Sequence, residues 1–219
     1  MSILFTQYWD VIPGKWDEYS EFVSNDYNPA LERLGIKLLG GYYVAVGEGP
    51  RIIAVATVEE TDYLRKILAT DEYRRILARL HQLVMKYSSK LYVSSGRVKE
   101  GPYKIQMGAW KFNQYYNILP GMEEEHYKFV KEECIPGMEK LGVPITEGWR
   151  LVIGSGPQIL AECTGRKLED IARAIDTSEF RKLVRALKKK YATDYSSRIL
   201  APTGRIEVPS LLSQMLKGF

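Results

Sequence analysis

Apolar and polar positions along the chain follow a short cycle of patterns. The aromatic and β-branched stretch ILFTQYWDV predicts a strand. Apolar residues then recur every three or four positions from Tyr19 to Leu34, which predicts a helix that ends at Gly35. The run GYYVAVGEGPRIIAVATV places a glycine-rich turn between two strand-like segments and predicts a hairpin. A second helix over residues 61–87 and a short last strand, KLYVSS, complete the cycle.

The cycle occurs twice, because the second half of the chain is a duplication of the first. A shift of 107 residues aligns 13–80 with 120–187 without a gap, and 20 of these 68 positions are identical. The second copy has its later helix at 168–191 and its last strand at RILAPT. Pro29 and Pro136 interrupt the first helix of each copy and predict a kink or a restart there. Upstream, we align Trp9 with Trp110, which requires about six extra residues in the second copy.

The order strand, helix, strand, strand, helix, strand is that of the ferredoxin-like unit. Helices cover only one face of such a sheet, so something else must bury the other face, and the second copy is the obvious partner. We therefore predict an α+β fold in which two tandem ferredoxin-like (βαββαβ) repeats, 1–100 and 101–206, pack sheet to sheet as an intramolecular barrel. The tail at 207–219 predicts a short helix that docks on the barrel or on a neighbouring chain, since its apolar residues would otherwise be exposed.

Several short motifs resemble the dimeric α/β-barrel superfamily, which includes the antibiotic-biosynthesis monooxygenase, NIPSNAP and stress-responsive barrel families. They are the PG after the first strand, the helix of the type KWDEYSEFV, and the later helix openings TDEYRRIL and TSEFRKLV. The resemblance extends over residues 3–206 as a fused pair. It implies a ligand pocket between helices and sheet. Because the superfamily contains cofactor-free oxygenases, isomerases and haem enzymes, it implies a fold and not one reaction.

Composition indicates the class of protein and the compartment in which we expect it. The chain is 45% hydrophobic and 26% charged, which is ordinary for a soluble protein. No apolar run approaches the roughly 18 residues of a membrane helix, and we expect a cytoplasmic protein. The two isolated cysteines, Cys134 and Cys163, fit a reducing compartment. The basic run FRKLVRALKKK could attract nucleic acid, but its apolar residues share one helical stripe, so the solvated face of an amphipathic helix is favoured.

His126 is the first candidate for chemistry. It replaces Tyr19 of the first copy and shares a buried helical stripe with Phe129, so we expect it to face the sheet. A histidine there could be a general base or a ligand to haem or metal, or a core residue hydrogen-bonded to backbone or to a carboxylate. The only other histidine is His81, which excludes a three-histidine metal centre. We predict no metal and no cofactor, with haem on His126 as the alternative.

Glu162 is the second candidate, because it lies in an apolar strand where the first copy has Val55. If the GSGP turn is centred near Gly156, Arg150 stands opposite Glu162 across the hairpin, which predicts a cross-strand ion pair. The pair would be structural, or would orient the acidic or carbonyl group of a substrate. Aromatic residues that would either line a pocket for a flat apolar ligand or pack in the core are Trp9, Tyr19, Trp110 and Trp149.

Three hypotheses for function follow. The first is a binder of a small apolar or aromatic molecule, or a cofactor-independent enzyme of monooxygenase or isomerase type, with His126, Arg150 and Glu162 around a pocket in the second repeat. The second is a non-catalytic assembly module whose tail at 209–219 and basic helix at 181–190 bind a partner, with a homo-oligomer expected through the tail. The third is a haem protein. The glycines of GEGP and GSGP lie in hairpin turns and do not open helices, which disfavours nucleotide-dependent chemistry.

Overall fold

Eight antiparallel strands form a closed ring in the computed structural model, in the order β1-β3-β2-β8-β5-β7-β6-β4. The structure describes residues 3–58, 60–98 and 108–203, so the predicted tail helix at 207–219 and its docking lie outside it. The strands are β1 (Ile3–Val11), β2 (Lys37–Val46), β3 (Ile52–Val58), β4 (Val84–Ser94), β5 (Trp110–Ile118), β6 (Ile145–Ile153), β7 (Ile159–Gly165) and β8 (Ala192–Pro202).

Each repeat contributes four neighbouring strands to this ring, in the order β4-β1-β3-β2 for the first and β8-β5-β7-β6 for the second. The pairs β2–β8 and β4–β6 join the two sheets and close the barrel. The helices are α1 (Trp16–Phe22), α2 (Asn28–Arg33), α3 (Thr61–Leu68), α4 (Asp71–His81), α5 (Glu123–Phe129), α6 (Ile135–Lys140), α7 (Leu168–Ile175) and α8 (Ser178–Lys190). This arrangement confirms the predicted α+β fold of tandem ferredoxin-like repeats.

The first helix of each repeat continues through its proline by way of a π-helical turn. Val23–Tyr27 links α1 to α2, and Val130–Cys134 links α5 to α6. Pro29 and Pro136 stand near the start of the second segment, where a missing backbone N–H costs little. Each helix therefore continues past its proline without a restart. The irregularity is the wide π turn, which carries one residue of each repeat's inner helical face, Tyr27 or Cys134.

The second helix of each repeat was predicted as one element, and this was wrong. The hydroxyls of Thr70 and Thr177 cap new helices, α4 and α8, by accepting from backbone N–H groups three residues later. The residues from Val84 to Tyr87 were also placed in the helix, but they belong to β4, because they pair with the end of β1.

Side chains along each strand alternate between the inside of the barrel and the outer face that the helices cover. One set of side chains points into the barrel and packs around Tyr8, Tyr92, Tyr115 and Trp149. The other set points outward under the helices of its own repeat. Among the described residues, no helix is long and apolar enough to span a membrane.

The structure corrects the alignment of Trp9 with Trp110. The strand irregularity that follows Tyr8 in β1 recurs after Tyr115 in β5, so the shift of 107 holds along the whole strand. Trp9 therefore corresponds to Tyr116, and no residues are inserted. Gln7 and Tyr8 match Gln114 and Tyr115, an identity that the tryptophans hid.

Candidate functional site

Aromatic side chains fill the space under the helices of the first repeat. The Trp9 Nε1–H donates to the Tyr19 hydroxyl at 2.9 Å. The Tyr27 hydroxyl donates to Gln7 Oε1 at 3.0 Å, and Gln7 Nε2 donates to the Tyr87 hydroxyl at 2.8 Å. Trp9, Tyr19 and Tyr27 are completely buried, so this half of the molecule has a dense core whose polar atoms are paired.

The second repeat holds smaller side chains at the same positions. Tyr116 replaces Trp9, His126 replaces Tyr19, Cys134 replaces Tyr27 and Phe180 replaces Tyr73. The outward core of this repeat accordingly divides into two groups of buried residues, whereas the first repeat has one. A cavity of about 330 Å³ lies between helices and sheet, within the size range of small-molecule sites.

The walls of the cavity are mostly apolar and come from both repeats. Most lining residues belong to β5–β7, to the π turn and its flanking helices, and to α8, but Arg97 and Val98 come from the end of the first repeat. A Cβ atom on Gly148 would lie 3.0 Å from Val98 Cγ2, so glycine allows this segment to cross β6 closely. The polar lining residues include Gln114, Tyr116, His126 and Arg150.

His126 faces the sheet, as its helical position predicts. Its Nε2 lies 3.0 Å from the Tyr116 hydroxyl, and 8% of the residue is exposed. Burial, and secondly the positive charge of Arg97, lower the pKa of His126 to about 4. Burial raises the pKa of Tyr116. Both groups are therefore neutral at pH 7. As uncharged groups, they can donate hydrogen bonds to a ligand or accept them from it.

Gln114 forms a second polar group at the sheet side of the cavity. Its Oε1 accepts from the Tyr195 hydroxyl at 2.9 Å, and its Nε2 lies 3.6 Å from Cys163 Sγ. Burial raises the pKa of Cys134 and of Cys163 to about 12. Both thiols are therefore protonated at neutral pH, and Cys134 contributes a small apolar wall rather than a nucleophile.

Arg97 and Arg150 supply positive charge at the cavity. The Arg97 guanidinium lies 4.7 Å from the centre of the Tyr127 ring and 3.8 Å from Glu124, on a side chain that is nearly half exposed. Arg150 is exposed and lines the cavity from β6. Such exposed charges contribute little to stability, but they can attract a polar end of a ligand.

The predicted ion pair between Arg150 and Glu162 was wrong. In the hairpin, Arg150 lies opposite Ile159, and Glu162 lies opposite Glu147, because the turn is centred between Gly154 and Ser155 and not near Gly156. Glu162 points into the barrel, where its Oε2 lies 2.7 Å from Lys111 Nζ. The structure therefore brings His126 and Arg150 to the cavity, while Glu162 belongs to the other core.

The aromatic candidates are also divided. Trp149 borders the cavity, but its completely buried side chain packs in the core inside the barrel. Trp9 and Tyr19 are hydrogen-bonded to each other in the core of the first repeat. Trp110 is half-buried and packs with Phe112 and its neighbours. Sequence reasoning missed Tyr116 and Gln114; with the ungapped alignment, NQYYN against TQYWD would have indicated both.

Haem on His126 would have to displace a hydrogen bond. An axial ligand must offer a ring nitrogen to the iron, and Nε2 of His126 lies 3.0 Å from the hydroxyl of Tyr116 on the sheet, so ligation through Nε2 requires this contact to break. The cavity is also at the lower end of the size range for ligand pockets. Within the described ranges, no three His, Cys, Asp or Glu side chains are placed to hold a metal ion.

These observations define the class of fold. The chain has the dimeric α/β-barrel fold, with both ferredoxin-like halves in one chain. An anthrone oxidase-like protein is similar to it, with a TM-score of 0.61 and 11% identity over 92% of this chain and 91% of that one. A heme-binding protein from Thermus thermophilus is similar, with a TM-score of 0.59 and 10% identity over 100% and 95% of the two chains.

A third similar structure is a mutant chlorite dismutase from Candidatus Nitrospira defluvii, with a TM-score of 0.59, 10% identity, and coverage of 94% of this chain and 93% of that one. At these identities the similarity establishes the fold and leaves the reaction open. No family model and no curated protein matches the sequence.

Proposed function

We propose that the second repeat binds a small, mainly apolar aromatic molecule that carries a hydroxyl or carbonyl group. The observation that carries this proposal is the exchange of large aromatic residues in the first repeat for smaller ones in the second, with a cavity of about 330 Å³ at the place where they differ. The lining is apolar apart from a few convergent polar groups, which is typical of small-molecule sites.

The polar groups support one orientation of the ligand. Its rings would lie among Val130, Leu183 and Val184, and its oxygen would meet the Tyr116–His126 pair. Because His126 is neutral at pH 7, it can accept a hydrogen bond from a phenol or donate one to a carbonyl. Arg150 would meet a polar substituent at the opening of the cavity.

A second candidate is cofactor-independent turnover at the same site, and the neutral imidazole of His126 supports it. A neutral histidine can accept a proton from an enolisable or phenolic substrate. The resulting anion would then be reprotonated at another atom, which is isomerisation. Alternatively, the carbon of a deprotonated CH₂ group would react with dioxygen and recover the proton from His126 to give a hydroperoxide, which loses water to leave a carbonyl group; this is monooxygenation. The low pKa of His126 makes it a weak base, so the substrate proton must itself be acidic.

Calorimetric titration with anthrone and 1-naphthol, an aromatic ketone and a phenol, tests the proposal. We expect saturable binding to the natural protein. Cys134→Tyr and His126→Tyr, which restore the residues of the first repeat, should each abolish it because the larger rings fill the cavity. Tyr73→Phe makes a small change at the first-repeat counterpart of Phe180 and should leave binding unchanged. Equal binding by Cys134→Tyr and the natural protein would reject the cavity as the site.

A further inference from the structure

Two cations lie inside the barrel at equivalent places in the two repeats. Lys90 on β4 and Arg198 on β8 are each two residues from a side chain of the interior core, Tyr92 and Leu200 respectively. Since side chains two apart on a strand share a face, both cations point inward. Both are half-buried, so they are within reach of solvent.

The two charges converge on the same tyrosine. Lys90 Nζ lies 5.3 Å from the centre of the Tyr8 ring, and the Arg198 guanidinium lies 6.0 Å from it and 5.2 Å from the centre of the Tyr115 ring. Burial, and secondly the charge of Arg198, lower the pKa of Lys90. Two positive charges are thus held close together by the fold, although they repel each other.

Among the residues that the structure describes, neither Lys90 nor Arg198 has a carboxylate within ion-pair distance. Two carboxylates elsewhere on the strands are held by other lysines: Glu162 by Lys111 at 2.7 Å and Asp10 by Lys86 at 3.0 Å. Half-buried charges that lack a counter-ion are costly, so this pair favours an anion between or beside them.

The glycine-rich hairpins at the same end of the barrel approach these cations closely. A Cβ atom on Gly49 would lie 2.7 Å from Arg198 Nη2, and one on Gly156 would lie 3.0 Å from Lys90 Nζ. Each hairpin therefore covers the cation that belongs to the other repeat. This close contact explains why glycine is present in GEGP and GSGP. Neither hairpin turn lines the cavity under the helices.

Asn113 supplies an independent sign of a ligand. It lies directly across from Arg198 in the β5–β8 pair and is 5% exposed. Its Nδ2 donates to the Tyr115 hydroxyl at 3.3 Å, while its buried Oδ1 has no hydrogen-bond partner. Rotation of the amide would let Oδ1 accept from Tyr115 and would turn the Nδ2 hydrogens towards a bound anion.

We infer that Lys90 and Arg198, with Asn113 beside them, form a binding site for a small oxyanion at the hairpin end of the barrel. The chemistry fits a phosphate group, free or carried as a monoester, because arginine binds such oxygens in pairs and lysine adds a point charge. This site is inside the barrel and separate from the cavity under the helices, so it stands whether or not that cavity binds an aromatic molecule.

Calorimetry with inorganic phosphate and with phenyl phosphate tests the inference. We expect saturable binding of at least one of them to the natural protein, and a result with phenyl phosphate alone would indicate a group carried by a larger molecule. Lys90→Met and Arg198→Met should each weaken binding about tenfold or more, since each removes a charge-assisted contact. Lys188→Met is the matched control, because this lysine also lies over a tyrosine ring, Tyr195, but on the outside.

Thermal unfolding separates a binding role from a structural one. Phosphate should raise the Tm of the natural protein and of Lys188→Met, but not that of Arg198→Met, and sodium chloride at equal ionic strength should not reproduce the effect. Without phosphate, Arg198→Met should be at least as stable as the natural protein, because one of two repelling charges is gone. The absence of binding by both probes, equal binding by Arg198→Met, or an equal effect of chloride would each overturn the inference.

Discussion

Lys111 Nζ and Glu162 Oε2 lie 2.7 Å apart inside the barrel, and their side chains are only 3% and 4% exposed. The equivalent positions of the first repeat are Leu4 and Val55, which belong to the same interior core. One barrel thus contains an apolar and an ionic version of the same pair of positions. The two versions allow the cost of a buried charge pair to be measured within a single protein.

Glu162→Val should lower the free energy of unfolding by about 3–5 kcal/mol, because it leaves Lys111 charged and buried without this partner. The double variant Lys111→Leu/Glu162→Val copies the first repeat, and we expect it to recover the natural stability or to exceed it by about 1–4 kcal/mol. Urea unfolding of the single and double variants provides the comparison. A double variant as unstable as the single one would show that the pair is not isolated from its surroundings.

His126 should make the protein less stable in mild acid. Its pKa is about 4 in the fold and 6.5 in the unfolded chain, so between these pH values the unfolded chain binds more protons. Stability from this source is complete above pH 6.5 and decreases as the pH is lowered, and the loss amounts to about 3 kcal/mol at pH 4. His126→Tyr should lack this part of the pH dependence.

Free energies of unfolding at pH 7 and pH 4.5 test the role of His126. His81→Gln is the control for removal of a titratable ring, because His81 is exposed on α4. If His126→Tyr loses as much stability on acidification as the natural protein does, other groups account for the effect.

The two repeats should respond in opposite ways when their counterparts are exchanged. Tyr27→Cys removes a completely buried ring from the dense first repeat and should cost about 3 kcal/mol. Cys134→Tyr places the same ring beside an existing cavity and should change stability by less than about 1.5 kcal/mol. Thermal unfolding of both variants gives the answer, and equal losses would contradict the difference in packing.

Gly47 should tolerate a side chain less well than Gly14. Both have positive φ angles, +119° and +83°, so alanine is strained at either position. A Cβ on Gly47 would also lie 2.9 Å from the Ser197 carbonyl oxygen, whereas a Cβ on Gly14 meets nothing within 4 Å. We expect Gly47→Ala to lose about 1–3 kcal/mol more than Gly14→Ala. Similar losses in denaturant unfolding would mean that the hairpin moves away freely.

The fold could be predicted from the sequence because duplication doubles each local signal. The proline-initiated helix segments, the glycine hairpins and the strand patterns occur at one constant spacing, and each copy supports the reading of the other. Boundaries were harder to predict. Val84 to Tyr87 carry mixed polarity that fits a helix end, and only pairing with β1 makes them a strand.

The site could be predicted only in part. The exchange of Tyr19 for His126 was visible in the sequence, and it led to the cavity. The partner of Glu162 was not deduced, because the hairpin turn is centred between Gly154 and Ser155 and not near Gly156, and because Lys111 comes from a strand far away in sequence. The register of a hairpin follows its turn geometry, and the letters GSGP alone did not fix which residues form the turn.

The closure of the ring by two unequal halves has a consequence for what the barrel can tolerate. If two identical chains formed it, every substitution would occur twice about the symmetry axis, and a lysine–glutamate pair would bury four charges instead of two. Joining both halves in one chain removes that constraint. The first repeat can keep its dense aromatic packing and supply stability. The second repeat can then hold the cavity under its helices and the buried charges, which would be destabilising twice over in a barrel of two identical chains.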